Sequence, residues 1–151
     1  MATRIRRDDA AVAALNELLR GELSAVETYD KALPAVEDQP ALRENLRACR
    51  TSHELRVETI RRAIVDIGGE PVHASGAWGV LAKTVAGGAR ALGWRAVIAA
   101  LEDGEDIGLT EYEDTLPRLD ERLRLLVSSE LVPEQRHTHG VMAALRRDVA
   151  D

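Results

Sequence analysis

Phenylalanine is absent from this sequence, and its aromatic side chains are two tyrosines and two tryptophans. A core built here must therefore rest on Leu, Val, Ile and Ala, which suits close helix packing better than strands. Cys49 is the only cysteine, so neither an intrachain disulfide nor a cysteine-based zinc motif can form. No excess of positive charge is present: the net charge is −6, which argues against a general nucleic-acid binder. Lysine is nearly missing too, with only Lys31 and Lys83 among the basic residues; the arginine bias reads as genome composition. No apolar run approaches the ~20 residues of a membrane span, so no membrane role is expected. The segment 1–9 is charged and lacks the apolar stretch of a signal peptide, which makes the cytoplasm the default compartment.

What is present is a helical pattern. With 151 residues, 45% of them hydrophobic, the chain reads as one domain, 1–151, with enough apolar mass for a core. Val12, Leu15, Leu18, Leu19, Val26, Leu33 and Val36 recur at helical spacing, with Asp8 and Asp9 as N-cap candidates. A turn at 37–39 and Pro40 open a second helix, whose stripe is Leu42, Leu46, Cys49, His53, Val57, Ile60 and Ile64. Gly68-Gly69 ends it. Glycine then punctuates a long connection, 68–93, in which a short amphipathic helix over 80–92 is compatible with the pattern. A third helix starts at Trp94 and a fourth runs from about Glu121 to Val149, with Pro133 set to kink it or open it locally. Trp78 and Trp94 flank the connection and are expected to pin it to the bundle.

The chain repeats itself. Gly21-Glu-Leu-Ser-Ala-Val-Glu-Thr-Tyr-Asp-Lys-Ala-Leu-Pro34 aligns with Gly104-Glu-Asp-Ile-Gly-Leu-Thr-Glu-Tyr-Glu-Asp-Thr-Leu-Pro117, identical at five of fourteen positions. Amphipathic periodicity alone does not match Gly, Glu, Tyr and Pro together. With one inserted residue, His53 answers His137 and Val57 answers Val141. The expected fold is thus all-α: a four-helix bundle of two pseudo-symmetric hairpins, 8–67 and 94–149, joined by the crossover 68–93. A long crossover implies that the helices on either side of it are parallel.

Glu22 and Glu105 fall on the apolar stripes of helices one and three, and a carboxylate there needs a partner. Helix two offers His53. Helix four offers Glu134 and His137, three residues apart and so on one face, with Glu130 a turn earlier. One carboxylate from each of two helices, with Glu-x-x-His from the others, is the ligand set of a di-iron or di-manganese bundle. Glu22, His53, Glu105, Glu134 and His137 are therefore the metal-ligand candidates, for iron or another divalent ion. Tyr29 and Tyr112 stand close enough to hydrogen-bond to the ligands. Arg50 occupies the place of the carboxylate three residues before His53, which leaves two arrangements open. Either Arg50 points outward and five ligands hold one metal, or two with water. Or Arg50 turns inward and its guanidinium replaces the cation, in an Arg-Glu-His network without metal. His73, His139, Glu54 and Glu58 read as solvated, with His139 able to exchange roles with His137 if Pro133 shifts the helix, and Cys49 as a small buried apolar residue.

The chain resembles the ferritin-like superfamily. Within it, the chain is most similar to a bacterial branch known only as a domain of unknown function. The resemblance rests on Leu15-Asn-Glu-Leu-Leu19, Gly21-Glu22 with Tyr29, and Gly68-Gly-Glu-Pro71 with Ser75-Gly76 and Gly79. It also rests on Glu102-Asp-Gly-Glu-Asp106 with Tyr112, and on His139 with Leu145-Arg146. The resemblance implies a four-helix bundle with a long crossover. It also implies, through relatives that oxidise iron or reduce peroxide, a di-iron-type oxidoreductase with a degenerate ligand set: ferroxidase, oxygen or peroxide chemistry. The alternative expectation is a metal-free scaffold or interaction module, for example a homodimer.

Overall fold

The computed structural model describes residues 2–76 and 80–150, and among them there is no strand. Helix α1 spans Ala2–Ala32 and closes in a 3-10 turn, Leu33–Val36; α2 spans Pro40–Asp66. After the connection come α3 (Val80–Leu92) and α4 (Trp94–Thr115), the latter closing in a 3-10 turn at Leu116–Arg118. The last long rod is α5 (Glu121–Leu126), a π-helical turn at Val127–Leu131, and α6 (Val132–Ala150). No helix of the described residues is long and apolar enough to cross a membrane.

Local chemistry sets most of these boundaries. Pro34 and Pro117 sit at the start of the two 3-10 turns, and Pro40 is the first residue of α2, where a missing N–H costs nothing. Helix α2 ends in a glycine cap: Gly68 has φ +82°, its N–H bonds Val65 O at 2.9 Å, and the Gly69 N–H bonds Ile64 O at 2.9 Å. Gly69 also lies against α1, where an added Cβ would fall 2.4 Å from Val12 Cγ2. The Asp120 side chain caps α5 by accepting the Leu123 N–H at 2.9 Å. One boundary differs from the sequence expectation: α1 runs straight through Asp8 and Asp9 from Ala2, so neither caps it.

The crossover climbs along α1. Asn16 holds its start, donating to Glu70 O at 3.0 Å and accepting from the Val72 N–H at 2.9 Å, and Ser75 donates to Glu27 further along. Val85 of α3 then joins Tyr29, Ala32 and Val36 in the core. Trp94 packs against that same cluster, while Trp78 lies outside the described residues. Contacts of Glu22 with His53 and of Asp30 with Arg50 make α1 and α2 antiparallel. Contacts of Tyr29 with Glu105 and of Glu22 with Tyr112 make α1 and α4 antiparallel. Helices α2 and α4 are therefore parallel across the crossover, as the glycine-rich connection implies.

The apolar interior falls into two clusters. One gathers Leu15, Leu19, Ile60, Ile64, Val127 and Leu131; the other gathers Val36, Leu46, Ile98, Leu101 and Met142. Between them lies a layer of buried polar side chains.

Pro133 reshapes the last rod. It brings no N–H, and the carbonyl four residues before it is left without a helical donor. The π turn widens the helix just ahead of the proline, and Ser128 and Ser129 turn their hydroxyls back to Leu125 O. A π turn adds one residue, which rotates everything after it by about 100°. The expectation that Glu134 and His137 face inward is overturned by that rotation: both are exposed, as is Glu130, and Gln135 and Thr138 face the interior instead. The counterpart of His53 on this rod is accordingly Gln135 rather than His137.

Candidate functional site

Helices α1 and α4 bring Glu22 and Glu105 to the middle of the bundle, 4% and 3% exposed, from equivalent points of the repeat. Each takes a tyrosine hydroxyl from the opposite hairpin. Tyr29 donates to Glu105 Oε1 and Tyr112 donates to Glu22 Oε1, both at 2.6 Å. The seven-residue spacing of Glu to Tyr in each half is what makes this exchange reciprocal, because seven residues return to the same helical face.

His53 of α2 bridges the two carboxylates. Its Nδ1 lies 2.6 Å from Glu22 Oε2 and its Nε2 lies 2.8 Å from Glu105 Oε1. Two ionised acceptors on one ring require a proton on each nitrogen, so the ring is an imidazolium. Burial opposes that charge, but the Glu22 charge and the hydrogen bonds to both glutamates outweigh it and raise the His53 pKa.

The second cation is Arg56, one turn beyond His53 on α2 and only 2% exposed. Its Nη1 donates to Glu22 Oε1 at 3.3 Å and to the Gln135 side-chain oxygen; its Nη2 donates to Thr138 Oγ1 at 3.2 Å. Gln135 and Thr138 in turn donate to Glu105 Oε2 at 2.9 and 2.8 Å. Two carboxylates thus meet two cations. Desolvation pushes the Glu22 carboxyl up, but Arg56 and His53 outweigh it and bring its pKa down to about 2. Burial likewise opposes ionisation of Glu105, and the hydrogen bond and charge of His53 override it. Among the described residues no buried side-chain nitrogen or oxygen lacks a hydrogen-bond partner.

Five of the residues singled out from sequence meet here: Glu22, Glu105, His53, Tyr29 and Tyr112. Glu134, His137 and Glu130 do not; Glu134 accepts instead from Ser52 Oγ at 3.0 Å on the surface. Of the two arrangements open for Arg50, the outward one is found, with pairs to Asp30 at 2.5 Å and Glu54 at 2.6 Å; the inward guanidinium is that of Arg56. Arg56, Gln135 and Thr138 are the members that the sequence reading missed. A signal for Arg56 was there: Cys49, His53, Arg56 and Ile60 step by four, three and four along one helical face.

Beside this layer, α1 and α4 stand apart around a cavity of about 180 Å³, whose lining includes Gly21, Ala25, Gly104 and Gly108. Tyr29 and His53 form its floor, and the half-buried Glu111 and exposed Ile107 lie at its rim.

Fold and site together define an all-helical bundle with a buried layer of two carboxylates, an imidazolium and a guanidinium. The chain belongs to the family called domain of unknown function DUF2383, whose match covers residues 10–118. That span contains Glu22, His53, Arg56 and Glu105 but not Gln135 or Thr138. No curated protein matches the chain. No solved structure matches it either.

Proposed function

We propose that this chain is a ferritin-like bundle in which Arg56 and His53 supply the positive charge that a metal centre would bring, and that it acts as a scaffold or interaction module. The repeated hairpin, the long crossover with parallel α2 and α4, and one glutamate from each half support the ferritin-like assignment. The observation that carries the reading is the Arg56 guanidinium, 2% exposed and within hydrogen-bond distance of Glu22.

The residues present fit a metal ion poorly. Of the five ligand candidates, only Glu22, Glu105 and His53 converge, and both ring nitrogens of His53 are directed at carboxylates. A metal-ligating imidazole needs one nitrogen free of its proton and facing the ion. A guanidinium at the same glutamate adds repulsion. Among the described residues no group of three or more His, Cys, Asp or Glu is arranged to hold an ion. The three convergent residues fall short, in this reading, of the ligand set that ferroxidase or peroxide chemistry needs. In this reading the exterior of the bundle makes the functional contacts, the simplest being with a second copy of the chain.

Replacing the guanidinium tests the proposal. Arg56→Glu puts a third carboxylate beside Glu22 and Glu105, so the variant should acquire affinity for ferrous or zinc ion that the wild type lacks. Equilibrium dialysis of both proteins reads this directly. Stoichiometric ion binding by the wild type, unchanged in the variant, would show that Arg56 does not hold the cation position.

A further inference from the structure

The cavity between α1 and α4 has a chemistry that the interior layer does not use. We infer that it is a binding site for a small organic cation: a primary ammonium on a single ring or short hydrocarbon body, with Glu111 as its counter-ion. The inference rests on the proposed function in one respect, that His53 and Arg56 already match the interior carboxylates.

The volume selects the size. A cavity of about 180 Å³ is slightly larger than the ~150 Å³ apolar cavity that admits benzene. Gly21, Ala25, Gly104 and Gly108 line it, and Leu101 gives it an apolar wall; Glu111 closes over Gly21 and the Gln135 amide over Gly108. The charged groups at its floor are already satisfied. Glu22 and Glu105 are matched by His53 and Arg56, so they offer a ligand no unpaired charge.

Glu111 is different. It stands over the glycine of the opposite helix, where an added Cβ on Gly21 would fall 2.8 Å from Glu111 Oε2. Among the described residues no hydrogen-bond donor or cation meets its carboxylate. Its neighbours are acidic: burial, then the charges of Glu17 and Glu22, push its carboxyl up to about 7. Glu17 itself is paired with Arg20 at 2.7 Å. Asp106 and Asp114 line the adjoining hollow beside it, outnumbering its one cation, Arg118, and Asp106 faces His139 at 3.8 Å. An anion would be repelled here, and so would the same acidic face of a second copy. A cation with an apolar body places its charge at Glu111 and its hydrocarbon against Ala25 and Leu101.

Titration of the full chain with benzylammonium and with its neutral isostere benzyl alcohol, followed by amide chemical shifts, tests this. The expected result is saturable binding of benzylammonium, with shifts centred on Gly21, Ala25, Gly104 and Gly108. The affinity should exceed that of the alcohol at least tenfold. Glu111→Gln should erase the tenfold preference, and Ala25→Leu should block both ligands by filling the space. Should Ala25→Leu fail to fold, the two ligands on wild type and Glu111→Gln decide alone. No saturable binding, shifts elsewhere, or equal affinity for amine and alcohol would overturn the inference. Metal analysis bears only on the interior pair, so the two proposals fail separately.

Discussion

Substituting Arg56 by Met removes the guanidinium while keeping much of its length. The loss is concentrated: Glu22 keeps His53 and Tyr112 but loses a cation, and the Gln135 oxygen and Thr138 hydroxyl each lose a donor. Breaking a buried pair by removing one partner costs about 3–5 kcal/mol, because the other charge stays buried. For a chain of this size each kcal/mol moves the thermal midpoint by about 2–4 °C, so the fall should be ~6–20 °C. Thermal unfolding followed by helical circular dichroism, with chelator present, measures it, and denaturant unfolding gives the free energy. Adding Glu22→Gln to Arg56→Met should return a large part of the loss, since the uncompensated charge goes with it. The comparison variant is Arg50→Ala, whose partners Asp30 and Glu54 are solvent-accessible; it should cost no more than about 1 kcal/mol. If Arg56→Met falls within that same small range, or the double variant is no better than the single, the guanidinium is not what holds Glu22 in the interior.

The remaining predictions use the same groups. Tyr29→Phe and Tyr112→Phe should each cost about 1.5–3 kcal/mol, the worth of a hydrogen bond to a charged acceptor, and should cost similar amounts because their bonds are reciprocal. Burial and the glutamate charges raise both tyrosine pKa values well above 10, so absorbance should show no tyrosinate at pH 10 until the chain unfolds. Stability should be greatest between the ordinary carboxylate and imidazole values. The Glu22 contribution is complete above about 4.5 and is lost as pH falls towards about 2, whereas the His53 contribution is complete below about 6.5 and is lost as pH rises through its raised value. Unfolding curves from pH 2 to 9 check both limbs, and His53→Gln should flatten the upper one. Glu111→Gln should stabilise by on the order of 1 kcal/mol at pH 8, discounted for solvent screening, and the gain should vanish below about pH 4.5, where the carboxyl is neutral in either state.

The legible parts of this molecule are those where helices are regular. Glu22, Glu105 and His53 could be placed from spacing because α1, α4 and α2 hold their period through the site. The two Glu-to-Tyr intervals further showed that the halves repeat. The last rod broke the method at one point. Pro133 announced a disturbance, but a kink and a π turn leave different faces inward, and only the π turn moves Glu134 and His137 out and Gln135 and Thr138 in. Arg56 was hidden for another reason. Hydropathy reading assigns arginine to the solvent face, yet a guanidinium enters the interior when carboxylates already wait there. Arg50 drew attention because it broke an expected motif, whereas Arg56 broke none.

The central claim is that protein side chains supply the interior cations. Its most direct test is the metal content of the wild-type chain, purified without chelator or metal-affinity resin, together with its unfolding midpoint before and after chelation. The account predicts far less than one ion per chain and an unchanged midpoint. One or two ions per chain, with a midpoint that falls on chelation and recovers on adding ferrous ion, would contradict it.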